Sequence, residues 1–321
     1  MIKLPTPPQF AGAFYKRLSR IACSSLMLLA LAAPLPAVDM LYVSLQDNTI
    51  VSYDTSSGVA ATIAASMNTF ASTNLRSPQG LAFDSSGNLY AANVGNNTIS
   101  KFNSAGGYVS NISSNLSGTY DLAFDSSGNL YAANYGNNTI SKFNASGAYV
   151  SNITTNLIGP AGLAFDTSGN LYAANYGNNT TISKFNSAGA YVSNITTNLN
   201  GPAGLAFDTS GNLYAANYNN NSISKFNSAG TFLSQINSNL SFPQGLAFDS
   251  SGNLYAANYG NNTISKFNSS GTFLTSWSTG TNPNYLAFKP VTVPEPSTYA
   301  LATIATGVMA YLARRRKART A

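Results

Sequence analysis

From Leu41 to Pro290 the chain alternates short apolar runs with clusters of Asp, Asn, Ser and Gly, and the alternation itself repeats. In the copy that begins at Gly245 the runs are Leu246–Phe248, Leu254–Ala257, Thr263–Phe267 and Thr272–Thr275. Their length and their β-branched and aromatic content predict strands. The intervening clusters, Asp249–Asn253 and Asn268–Gly271, hold the residues that make tight hairpins. Each copy is therefore predicted to be four antiparallel strands.

The copies are regular. Leu-Ala-Phe-Asp begins at Leu81, Leu122, Leu163, Leu205 and Leu246, at spacings of 41, 41, 42 and 41 residues, and the longer step is the extra threonine of Thr180-Thr181. A sixth copy, Leu286-Ala287-Phe288-Lys289, follows 40 residues later. Four strands in about 40 residues, repeated, is the pattern of a β-propeller blade. The first unit lacks its Leu-Ala-Phe strand, opens at Leu41–Ser44 and continues through Thr49–Tyr53 and Val59–Ile63. The last unit supplies only Leu286–Phe288. One strand from the C-terminal end should complete three from the N-terminal end. The predicted fold is all-β, a six-bladed propeller closed by this 1+3 arrangement, with no sheet edge left open at the seam.

The two ends have other patterns. Residues 1–37 carry a basic segment, Lys16–Arg20, an apolar run from Ile21 to Ala33 and small residues up to Ala37, the three parts of a secretory signal peptide. The run is too short to span a membrane. Residues 38–290 form the propeller unit. Residues 291–321 hold Pro294-Glu295-Pro296, an uncharged apolar stretch from Thr298 to Ala313 and the basic cluster Arg314–Lys317. That stretch is predicted to be a short transmembrane helix, with the cluster held in the cytoplasm.

Two resemblances follow. The unit Gly245–Phe267, and its copies from about Leu41 to Pro290, are similar to NHL repeats, which implies a propeller, often of six blades. Many NHL repeats carry aspartate after the second strand and arginine before the third. Here those positions are Asn93, Asn134, Asn175, Asn217 and Asn258, and Thr98, Thr139, Thr181, Ser222 and Thr263. The tail resembles the PEP-CTERM sorting signal. That likeness implies recognition by an exosortase-type enzyme in a Gram-negative envelope and cleavage near Pro294, Glu295 and Pro296. Release to the cell surface or an exopolysaccharide matrix would follow, with membrane attachment through the helix before processing.

Charge narrows the partners. The formal charge is +6, but nine of the sixteen basic residues lie in the two ends. Between them seven bases face nine acids, so no basic stripe exists for nucleic acid. The single cysteine, Cys23, lies in the leader.

Catalytic chemistry is sparse. The chain has no histidine, and its one glutamate, Glu295, lies in the tail. Asp84, Asp125, Asp166, Asp208 and Asp249 share one hairpin position, where an Asx turn accounts for them. One carboxylate per loop is too few for calcium. Of the remaining aspartates, Asp39, Asp47, Asp54 and Asp121, only Asp121 breaks the repeat at an inner position, replacing the glycine of Gly80, Gly162, Gly204 and Gly245. No catalytic residue, cofactor or metal is expected. Lys101, Lys142, Lys184, Lys225 and Lys266 recur as a ring, read as solvated residues near the outer strands.

In a blade, the loop after the second strand and the connection to the next blade share one face. That face should gather Asn93, Asn134, Asn175, Asn217 and Asn258 with Tyr135, Tyr176, Tyr218 and Tyr259. Extra residues within Ala64–Gly80 should reach it as well. Amides and aromatic rings together are the chemistry of neutral sugar recognition, whereas asparagine and glycine alone also make good turns. The expectation is a non-catalytic, exported binding or scaffolding propeller, with exopolysaccharide or envelope proteins as candidate partners. The alternatives are a lactonase- or lyase-type propeller enzyme and an envelope adaptor.

Overall fold

The computed structural model describes residues 39–178 and 180–290. They form six four-stranded sheets, each strand hydrogen-bonded to its neighbours in sequence order except at one seam. Blade one is shared between the two ends of this unit. Its inner strand is Pro283–Phe288, and its others are Met40–Leu45, Ile50–Asp54 and Asn68–Ala71. Blades two to six start at the inner strands Pro78–Phe83, Thr119–Phe124, Pro160–Phe165, Pro202–Phe207 and Pro243–Phe248. The predicted closure is present: Leu41 pairs with Phe288, Tyr42 with Ala287 and Val43 with Leu286, antiparallel.

The second strand explains why the blades stack. Leu-Tyr-Ala-Ala-Asn is buried along its whole length in blades two to six. In blade two, Leu89 and Ala91 pack toward blade one, whereas Tyr90 and Ala92 pack toward blade three with Leu122, Leu130 and Phe143. A strand covered on both faces has no polar side, so its sequence is a continuous apolar run. The alanines keep the contact close, and the tyrosine reaches across. Tyr90 meets Phe124 edge-on at 5.0 Å between ring centroids, and the equivalent pair recurs at every other junction at 4.9 to 5.1 Å. The last, Tyr255 on Phe288, joins blade six to the closing strand.

Blade one departs from expectation at Val59–Ile63. That segment holds a short helix, Ala60–Ala65, and the outer strand forms later, at Asn68–Ala71. Ala-Ala-Thr-Ile-Ala-Ala has the composition of a helix, and its one buried residue, Ile63, packs with Tyr53 and Trp277. The helix follows the third strand, so it lies at the end of the blade away from the Asn-rich loops. The extra residues expected within Ala64–Gly80 to reach the Asn-rich face instead lengthen the connection from Asp54 to Asn68, at this opposite end. The predicted leader, the Pro294-Glu295-Pro296 motif and the predicted transmembrane stretch lie outside the described residues. Among the described residues no helix is long and apolar enough to cross a membrane.

Candidate ligand pocket at the channel mouth

The structure separates the two residue types that the sequence placed on one face. Asn93, Asn134, Asn175, Asn217 and Asn258 are at most 1% exposed. Asn134 is typical. Its Nδ2 donates to Thr139 Oγ1 at 3.1 Å and Ser141 Oγ at 2.8 Å, and its Oδ1 accepts from the Ser117 N–H at 3.2 Å. Asn93, Asn175, Asn217 and Asn258 repeat the pattern, each accepting from the chain that leads into its own blade. These amides are spent inside the blade and face no solvent. The neutral Asn–Thr or Asn–Ser pair thus stands, hydrogen-bonded, where many NHL repeats have a charged one.

A second asparagine joins the blades. Asn97, Asn138 and Asn221 adopt left-handed backbone, which asparagine tolerates better than most residues. Their Oδ1 atoms accept from the Gly118, Gly159 and Phe242 N–H groups of the next blade at 2.6 to 2.7 Å. Asn48 makes the same bond to Ser77.

The tyrosines do meet. Tyr135, Tyr176, Tyr218 and Tyr259 follow one another around the channel mouth, with successive ring centroids 6.4, 5.9 and 6.4 Å apart. Three of them are held by a 3-10 turn directly after the second strand, at Tyr135–Asn137, Tyr176–Asn178 and Tyr218–Asn220. Tyr120 and Phe242 extend the arc, 5.1 Å from Tyr135 and 5.0 Å from Tyr218. Where the repeat places Val94 and Gln46 the arc is broken, and Tyr259 Oη donates to Gln46 Oε1 at 3.2 Å. Burial raises the Tyr176 hydroxyl above its ordinary range, reinforced by Tyr218, Tyr120 and Tyr135. Burial likewise raises Tyr120 and Tyr218. All three remain neutral phenols at physiological pH.

Inside this rim lies a pocket of about 300 Å³. Its deeper layer comes from one position of the inner strands, two residues before the repeated leucine. That position is Gln79, Tyr120, Ala161, Ala203, Gln244 and Asn284 in successive copies. Blades six, one and two present amides there, and Gln46 adds another. Blades three, four and five present a tyrosine and two alanines beneath the aromatic rim. No lining residue is charged. Asn284 Nδ2 donates to the Pro78 carbonyl at 2.8 Å. Gln79 Oε1, Gln244 Oε1 and Asn284 Oδ1 are buried without a hydrogen-bond partner in the structure. A buried acceptor left unpaired costs about 1–3 kcal/mol, so three on one wall favour a ligand rich in donors. The repeat's regularity hid this wall, because it varies at a position flanking the shared motif.

Below the pocket the inner strands close to a waist. Gly162 sits so near blade five that an added Cβ would collide with the Ala203 carbonyl oxygen. Two side chains enter the waist, Tyr285 and Asp121. Tyr285 is 4% exposed and separates the pocket from a second chamber of about 160 Å³ lined by leucines of the inner strands. Asp121 Oδ1 accepts from the Leu122 N–H at 2.8 Å and Oδ2 from the Leu163 N–H at 2.9 Å. Burial pushes its carboxyl up to about 8 despite these two bonds.

The opposite face carries five copies of an Asp–Lys–Tyr group. Asp84 Oδ1 accepts from the Ser86 and Asn88 N–H groups, the expected Asx turn. Burial works to raise this carboxyl, but bonds from Asn88 and the charge of Lys101 outweigh it and hold it low. Lys101 Nζ lies 3.6 Å from Asp84 Oδ2 and 5.0 Å above the Tyr90 ring. The lysine ring read as merely solvated is therefore ion-paired in all five copies, at 3.4 to 3.8 Å. Among the described residues no three His, Cys, Asp or Glu side chains cluster as metal ligands would.

Known proteins place the chain by its repeats and its tail. The NHL repeat model matches residues 75–102, 199–226 and 240–267, and the PEP-CTERM protein-sorting motif matches residues 292–317. The sorting motif implies export and exosortase processing. Among curated proteins none matches the chain. A chain of a nidogen–laminin complex superposes with a TM-score of 0.71 at 18% identity, covering 79% of this chain and 99% of that one. A streptogramin B lyase superposes at 0.55 and 18% identity over 64% and 69%. A catalytically inactive histidine-to-alanine variant of virginiamycin B lyase from Staphylococcus aureus, solved with quinupristin, superposes at 0.54 and 15% identity over 68% and 85%. These likenesses reach the fold alone. The chain is a six-bladed β-propeller of NHL repeats that ends in a PEP-CTERM protein-sorting motif.

Proposed function

We propose that this is an exported, non-catalytic binding module of the Gram-negative cell surface or its extracellular matrix, and that the channel-mouth pocket takes a neutral saccharide. The observation that carries the reading is the pocket's two-sided, uncharged lining: amides from three consecutive blades, and tyrosine rings above alanines from the other three. A sugar has a polar edge and an apolar face, and each side of the pocket suits one of them. A charged ligand would meet no counter-charge there.

Several features support a non-catalytic role. The lyase neighbour is inactive when one histidine becomes alanine, and this chain contains no histidine. Asp121, the one irregular carboxylate, has both oxygens on backbone N–H groups at the waist. The pocket offers no acid–base pair of the kind proton transfer needs.

The test is a glycan array probed with the full chain and with a Tyr176→Ala/Tyr218→Ala variant. Two rings worth about 0.5–1.5 kcal/mol each should weaken binding on the order of tenfold or more. If no glycan binds, the saccharide reading fails and an envelope adaptor takes its place.

A further inference from the structure

We infer that the pocket recognises the end of a glycan chain and not its interior, an inference that rests on the saccharide reading above. The first reason is shape. The pocket opens on the tyrosine rim and is closed below by Tyr285 and the waist, where neighbouring strands leave no room for a Cβ at Gly162, Gly204 or Gly245. A chain cannot thread through. At about 300 Å³ the pocket sits at the small end of ligand sites. It has room for one or two sugar rings, but not for a polymer that enters and leaves by the same mouth.

The second reason is hydrogen-bond chemistry. Of the unpartnered atoms around the pocket, Gln79 Oε1, Gln244 Oε1 and Asn284 Oδ1 on the deep wall can only accept, and the Tyr285 hydroxyl at the waist can accept or donate. A terminal sugar presents a free hydroxyl where an interior sugar has a glycosidic ether oxygen. The hydroxyl donates to such a wall. The ether oxygen cannot donate, and set against amide oxygens it leaves both sides unpaired. A site with buried acceptors thus discriminates strongly against the partner that lacks the donor.

The experiment measures binding of the full chain to the neutral surface polysaccharide of the producing organism, intact and after partial acid hydrolysis, compared at equal mass. Hydrolysis multiplies chain ends without adding sugar. An end-binding pocket gains sites in proportion, so a tenfold shorter mean length gives about tenfold more protein bound per unit mass at saturation. Capacity that stays constant or falls overturns end recognition while leaving saccharide binding intact. Absence of binding to both samples overturns the saccharide reading, and the inference with it. Ala203→Trp fills the floor and is expected to abolish binding to the hydrolysed sample; if its melting curve shows misfolding, Ala161→Trp replaces it. Full binding by a folded variant would place the site elsewhere and overturn the inference.

Discussion

Asparagine does two separate jobs in blades two, three and five, and both concern the scaffold. One amide ties the second strand to the third and to the incoming chain; the other, in left-handed backbone, reaches the next blade. Asn134→Ala strands the Ser117 N–H and the Thr119 hydroxyl and removes three donations, so a loss of about 1–3 kcal/mol is expected, read as a lower urea midpoint with an unchanged slope. Asp121 behaves in the opposite sense from Asp84, Asp125 and Asp208, whose carboxyls are held low. Its folded pKa, about 8, stands above the ordinary value of 3.8, so the folded chain holds this proton more tightly than the unfolded chain does. Its contribution to stability is complete below about 4 and is lost as pH rises to about 8. Asp121→Gly, which restores the residue of the other copies, should flatten that decline in melts taken from pH 4 to 9. A variant that keeps the parent's slope would trace it to another group.

At the level of strands and helices, most of the fold was legible because the repeat states each strand several times. The Leu-Tyr-Ala-Ala run reads as a strand, and the unmatched Leu286–Phe288 reads as the missing member of blade one. Where the repeat lapses, legibility lapses with it. Val59–Ile63 looks like a strand by analogy with the other copies, but its alanines favour the helix that forms. The pocket was half legible for a similar reason: the tyrosines recur, whereas Gln79, Tyr120 and Asn284 occupy a position that differs among blades. The Asp–Lys pairs needed the register that sets Tyr90 opposite Lys101. Four of the pairs are partly exposed and add at most about 1 kcal/mol each, whereas Lys266–Asp249 is buried. The closing strand is worth far more. A chain ending at Asn282 leaves Met40–Leu45 with an open edge and removes Phe288 from Tyr255. It should lose its cooperative near-ultraviolet melting transition. A truncated chain that melts like the parent would mean that the three N-terminal strands complete blade one unaided.

For the whole molecule, the propeller and the sorting motif are consecutive: the closing strand ends at Phe288 and the motif match begins at residue 292. Replacing both Pro294 and Pro296 with alanine should block processing, so that intact mass retains the residues past Ser297. Wild-type protein recovered outside the cell should have lost them, and a wild-type mass that includes them would indicate a permanent anchor. The seam also sets a schedule. Ser44 Oγ accepts from the Tyr285 N–H across 241 residues of sequence, and contacts that distant form late and slowly. An exported chain therefore cannot finish folding until almost all of it has crossed the membrane. Maturation of the ring and arrival of the sorting motif then fall at nearly the same moment, and a molecule stalled short of Phe288 would offer proteases an unfinished blade.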